Sequence, residues 1–251
     1  MKRLLLSAAM LAVLSVSAQS TTRQKYVSTN VDKLNTELLQ AENARMLRTL
    51  YHGYNTVCLP YSIGAEAIED VFGTGARIEK PVGAATEGSD FVLYFSDCTD
   101  EGIEAGMPYL VHTDDIRFAT IRNNGEGLVT EPASVSFSDG QGNKATFRGS
   151  FERLTPVGSW AIPAVQGEVP STLICCDGER TLNPTRCFFT WDTKAGATNM
   201  VICHLEAGAI VTGIQGAEVT LGNGATYNVA GQRVQQGHGV LIQSGKKKIV
   251  K

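Results

Sequence analysis

The chain has 251 residues, 43% of them hydrophobic and 19% charged, with 26 glycines and a formal net charge of −3. That composition fits a folded, turn-rich protein and excludes a disordered one. A mildly acidic chain without a basic stripe also excludes nucleic acid and anionic membrane as partners.

Met1-Lys2-Arg3 is a short positive region, residues 4–16 form an apolar run, and Val16-Ser17-Ala18 offers the small residues a signal peptidase reads. Residues 1–18 are therefore read as a signal peptide cleaved before Gln19, directing the protein to the cell surface or the exterior. The run is too short to anchor in a bilayer, and no later segment is apolar for long enough to span one. Export would permit disulfides among the six cysteines, at 58, 98, 175, 176, 187 and 203. Most of them lie in apolar, strand-like runs, where cysteine behaves as a small hydrophobe.

Residues 19–45 read as a polar segment, loose over 19–28, followed by a helix over 31–43 capped by Asn30. From 46 the apolar period becomes two. Strands are expected at 46–51 and 55–59 around a His52-Gly53 turn, then a short helix at 65–72 ended by Gly73. Further strands follow at 91–95, 109–112 and 116–121. The clearest local signal is a hairpin over 134–151. Val135 and Phe137 alternate with serines, residues 139–143 supply turn formers, and Ala145, Phe147, Gly149 and Phe151 alternate with polar residues. More strands are expected at 171–176, 186–191 and 199–205. Many short strands and one or two short helices predict an all-β, mainly antiparallel fold: a jelly-roll-like β-sandwich over 46–212. A small C-terminal β module is expected over 213–251, where glycine density rises.

Counting across 192–198 pairs strand 186–191 with strand 199–204 as a hairpin whose opposed residues sum to 390. Cys187 then faces Cys203 and the two form a candidate disulfide.

Several strings resemble a β domain common in large secreted proteins of the Bacteroidetes. They are Arg48-Thr49-Leu50 with YNTVCLPYSI (54–63), EAGMPYLV (104–111), FRGSF (147–151) and TRCFFTW (185–191). The ending, with TYNVAGQRV (226–234), GVLI (239–242) and GKKKIVK (245–251), resembles the tail of proteins exported through the type IX (Por) sorting route. The resemblance implies an extracellular location, a binding or structural role, and contact with secretion or surface-attachment machinery through the tail. It brings no catalytic residues.

The chemistry of the remaining residues is weighed on that background. A catalytic thiol at Cys58, with His52, His112 or His204 as base, needs partial exposure, and its apolar neighbours argue for burial. Asp97, Asp100 and Glu101, or Asp114 and Asp115, offer carboxylates for glycoside hydrolysis or calcium. They sit in turn-like loops where acidic groups are usually only solvated. Residues 140–144 contain a Gly-x-Gly but join two strands, so they are a turn and not a phosphate loop. Trp160 and Trp191 offer faces for sugar rings, and Lys246 to Lys248 read as a charged strand edge. No cofactor or metal ligand set stands out. The expected function is a non-catalytic, secreted or surface-displayed protein that binds a protein or glycan, or is structural. The alternative is an extracellular hydrolase acting on glycan or peptide.

Overall fold

The computed structural model describes residues 23–123, 127–164, 171–193, 196–211 and 214–220, and the backbone of the strands between Thr226 and Val250. The expected signal peptide lies outside the described residues. In chain order the strands begin with β1 (Lys25–Ser28), β2 (Ala44–Leu50), β3 (Gly53–Cys58), β4 (Arg77–Glu87), β5 (Asp90–Asp97), β6 (Pro108–Thr113) and β7 (Arg117–Ile121). They continue with β8 (Ser134–Ser138), β9 (Lys144–Gly149), β10 (Trp160–Ala161), β11 (Ile174–Cys175), β12 (Cys187–Asp192) and β13 (Asn199–Leu205). The last are β14 (Gln215–Gly216), β15 (Glu218–Thr220), β16 (Thr226–Asn228), β17 (Arg233–Val234), β18 (Gly239–Gln243) and β19 (Lys246–Val250). Two one-turn helices, α1 (Thr36–Leu39) and α2 (Ile68–Phe72), interrupt them.

The fold is all-β and sandwich-like, built of antiparallel-rich sheets. Sheet I has the order β1-β2-β7, sheet II β11-β10-β12-β9-β8-β15, sheet III β13-β5-β4-β6-β3 with β14 also on β4, and sheet IV β17-β16-β18-β19. Among the described residues only β1/β2 and β13/β5 pair in parallel. Strand β5 has neighbours on both sides and is buried over Phe91–Ser96 on both faces, as its unbroken apolar run requires. Its inward ring Phe95 meets Phe137, Phe147 and Phe189 of sheet II, and Phe147 stacks on Phe189 at 4.3 Å. These rings fill the space between sheets II and III.

The 134–151 hairpin forms as β8 and β9 in the register Ser138↔Lys144 to Ser134↔Arg148. Gly140 and Gly142 take positive φ in its loop, where a side chain would be strained. Asp139 is the loop's hub. Its Oδ1 accepts from the backbone N–H of Gln141, Gly142 and Asn143, and its Oδ2 from Thr86 Oγ1 and Asn143 Nδ2. Burial pushes its pKa up, but these hydrogen bonds outweigh burial and hold it down to about 2. The stability this carboxylate contributes is therefore complete above about pH 4, the unfolded value, and is lost as pH falls through about 2. Asp139→Ala would leave buried donors without an acceptor and is expected to cost about 2–3 kcal/mol. Thermal unfolding at pH 7 checks this, and the deficit should shrink at pH 2, where the wild type loses the same carboxylate.

Several expectations are corrected. Residues 25–28 are not loose but form β1 beside β2. The helix expected over 31–43 shrinks to α1, capped by Asn35 rather than Asn30. The cause is tertiary: Leu34 N–H donates to Phe151 O and Arg153 N–H to Asp32 O, so residues 32–34 are tied to 151–153 instead of starting a helix. Of the strand expected at 171–176 only β11 forms. Residues 215–220 do not belong to a tail module, because β14 pairs with β4 and β15 with β8. Among the described residues the tail's own strands pair with one another, as sheet IV. The Cys187–Cys203 hairpin does not form either. β12 lies in sheet II against β9 and β13 lies in sheet III parallel to β5, so the two cysteines are not paired across a hairpin. Parallel pairing with β5 lets Met200 and Ile202 join the main core, a tertiary gain that local counting does not contain.

Candidate functional site

Side chains alternate across a strand, so the register of sheet III fixes which residues share its inner face. Phe91, Leu93 and Phe95 point inward on β5, and so do Met200, Ile202 and His204, which lie at matching positions on β13. Counting on through β4, β6 and β3 brings Asp97, Glu79, Arg77, His112 and Tyr54 to the same face. One end of this face is aromatic core and the other is a polar cluster.

Flat, five strands about 4.8 Å apart would hold β13 and β3 about 19 Å from each other. The rings of Tyr54 on β3 and His204 on β13 nevertheless stack with centroids 4.0 Å apart and planes 15° from parallel. The sheet is therefore curled, and the register shift between Pro81 and Gly83 in β4 supplies a bend. A proline in an inner strand is tolerated at such a bulge.

Glu79 is the centre of the cluster, with a fully buried side chain. Its Oε1 accepts from Tyr54 OH at 3.1 Å and lies 2.9 Å from Arg77 Nε, an ion pair without hydrogen-bond alignment. Its Oε2 lies 2.5 Å from His204 Nδ1. On the far side of the imidazole, Nε2 lies 2.7 Å from Ser171 Oγ. A carboxylate that already accepts from Tyr54 and faces Arg77 can only accept from His204 as well, so Nδ1 carries the hydrogen and donates to Glu79 Oε2. Nε2 is then the acceptor, and the Ser171 hydroxyl donates to it. Burial, then the charge of Glu79, raises the Tyr54 pKa, so the phenol stays a donor.

Ser171 precedes β11 and has φ = +58°. A serine there is uncommon and strained, and such positions cluster at functional sites. It is 5% exposed, while the side chains of His204, Arg77, Asp97 and His112 are 21–29% exposed and form the rim. Arg77 is held by Leu205 O and by the carboxylates of Asp97 and Glu206. Three carboxylates around one guanidinium make the rim net negative. Burial, the largest effect, lowers the His112 pKa.

Of the other sequence candidates, Asp97 and His112 belong to the rim of this cluster, and Cys58 and His52 stand apart from it. Cys58 is fully buried, its thiol donates to Gly106 O, and burial pushes its pKa up. That is the opposite of a reactive thiol. His52 is exposed at its turn, and His112 packs edge-on against Tyr54. Asp97 Oδ1 caps the turn at Thr99, Glu101 pairs with Lys80, and Asp114 lies 3.7 Å from His112. Among the described residues no three His, Cys, Asp or Glu gather as a metal site. Trp191 lines an open hollow of about 590 Å³ with Ser138, Lys144, Asp192 and Thr193, and Trp160 packs edge-on against it at 5.8 Å. Tyr54, Glu79 and Ser171 were not singled out in the sequence. Only the isolated carboxylate of Arg77-Ile78-Glu79, beside a residue of apolar strand type, marks the position at that level. No protein-family model, curated protein or solved structure matches the chain.

Proposed function

We propose that the protein is an exported hydrolase that cleaves small acyl esters, with Ser171 as nucleophile, His204 as general base and Glu79 as the group that orients and charge-balances the imidazole. The observation that carries this is the continuous relay Ser171 Oγ, His204 Nε2, His204 Nδ1, Glu79 Oε2, at 2.7 and 2.5 Å. A nucleophile within hydrogen-bond reach of a base that is itself held by a third group is the geometry of acyl transfer.

In the first half-reaction Ser171 Oγ attacks the ester carbonyl carbon while its proton passes to His204 Nε2. The C–O bond to the leaving alcohol breaks, the alcohol takes that proton, and the acyl group stays on Ser171. Water, deprotonated by the same Nε2, then releases the carboxylic acid and restores the hydroxyl. Glu79 stabilises the imidazolium formed in each step, and the stacked ring of Tyr54 fixes the plane of the imidazole. Ser171 is only 5% exposed, so the acyl group proposed to reach it is a slender one such as acetyl, and the net negative rim disfavours anionic substrates. Export rests on the leader at 1–18 and on the resemblance of the tail to type IX cargo.

The direct test is an uncharged fluorophosphonate, which phosphonylates an activated serine with loss of fluoride and a proton. The expected result is one adduct, located at Ser171 by peptide mapping and prevented by His204→Ala. Labelling elsewhere, or none, removes the hydrolase reading. The Trp191 hollow favours a second reading, a non-catalytic glycan-binding protein, because an indole flanked by Lys, Asp and Ser suits a sugar ring. Glycan binding abolished by Trp191→Ala, in a protein that the phosphonate does not label, would establish that reading instead.

A further inference from the structure

We infer that Cys58 and Cys187 form a disulfide bond in the exported protein. This does not depend on the hydrolytic reading. Three hydrogen bonds lay the end of β3 along the start of β12. Thr56 Oγ1 donates to Cys187 O at 3.1 Å and accepts from Cys187 N–H at 2.9 Å, and Cys58 N–H donates to Thr185 O at 2.9 Å. Cys187 is paired across the sheet with Gly149, so its side chain leaves the same face as any side chain at 149 would. That space is already taken, because a Cβ on Gly149 would stand 2.3 Å from Cys58 Sγ and 2.6 Å from Cys58 Cβ. The two cysteines therefore point into one fully dry space over Gly149.

Neighbouring thiols in a protein that folds in an oxidising compartment are oxidised before burial closes over them. The oxidant is a disulfide carrier, either a thiol–disulfide oxidoreductase or glutathione disulfide. One cysteine thiolate attacks the carrier's disulfide and forms a mixed disulfide, releasing the first carrier thiol. The second cysteine attacks the protein-side sulfur, forms the Cys58–Cys187 bond and releases the second carrier thiol. Two electrons and two protons end on the carrier. The product joins β3 of sheet III to β12 of sheet II, linking the two halves of the sandwich across a long loop.

The test is non-reducing peptide mapping of the full chain after secretion into a bacterial periplasm, quenched in acid with an alkylating agent. Protein refolded in glutathione buffer serves equally if secretion fails. The expected result is a linked pair of Cys58 and Cys187 peptides, two hydrogens lighter than the thiols, with Cys98, Cys175, Cys176 and Cys203 alkylated. Reduction should lower the melting temperature by about 10 °C. Recovery of Cys58 and Cys187 in alkylated form, or either linked to another cysteine, overturns the assignment. Cys187→Ala should leave Cys58 alkylated, and if that variant does not fold, the wild-type map decides alone.

Discussion

Ser171→Ala is expected to lower kcat/KM for an acetyl ester by about 10⁴-fold or more, with the melting temperature within about 3 °C of the wild type. The hydroxyl removed is the nucleophile, and deleting this one oxygen leaves the Cβ and its packing in place. Glu79→Gln should cost about 10³–10⁴-fold by a different route. A carboxamide has one acceptor oxygen where Tyr54 OH, Arg77 and His204 Nδ1 now face two. Either Nδ1 loses its acceptor or the imidazole takes the tautomer with the proton on Nε2, which cannot accept from Ser171. This variant should also lose stability, because its buried network is incomplete. The two routes separate in the phosphonate assay. Ser171→Ala should not label at all, whereas Glu79→Gln should label slowly at Ser171. Full activity in Ser171→Ala, with lowered stability, would show that the Ser171–His204 contact is a structural tether.

The parts of this fold legible in the sequence are those set by local alternation. The β8–β9 hairpin was legible because Val135, Phe137, Ala145 and Phe147 alternate around a glycine turn, and α2 because Ile68 and Phe72 share a face ended by Gly73. Strand β4 was not legible. Glu79, Lys80, Pro81 and Gly83 break its pattern, and only pairing with β5, β6 and β14 makes those residues a strand. The candidate site is hidden for the same reason. Glu79, Ser171 and His204 are far apart in sequence, and they meet because β4 bends and β13 runs parallel to β5. Cys187 shows the converse: local counting across 192–198 pairs it with Cys203, whereas inter-sheet packing brings the end of β3, with Cys58, beside it.

Arg48→Ala is expected to destabilise the protein by about 4 kcal/mol, and Arg48→Met by no more than half of that. Arg48 occupies an inward position of β2 between Met46 and Leu50, both fully buried. Burial, then the like charge of Arg186, pushes its pKa down to about 9, still above neutral, so the guanidinium is charged at pH 7. Its described hydrogen bonds reach no carboxylate. They run from Nη1 to Thr185 O and Oγ1, and from Nη2 to Thr56 O, while Nε is buried without a partner. Thr185 needs this support because it is a β-branched residue at φ = +70°, a strained conformation. Its N–H donates to Ser150 O, and its O also accepts from Cys58 N–H. Alanine would remove the charge-assisted donors, release the strained turn and leave a cavity. Methionine loses the same donors but fills the cavity and relieves the buried charge, an exchange that is often near neutral. Chemical denaturation of both variants at pH 7 measures the difference. Equal losses in the two would mean that the hydrogen bonds to Thr185 and Thr56, and not packing, account for the stability Arg48 contributes.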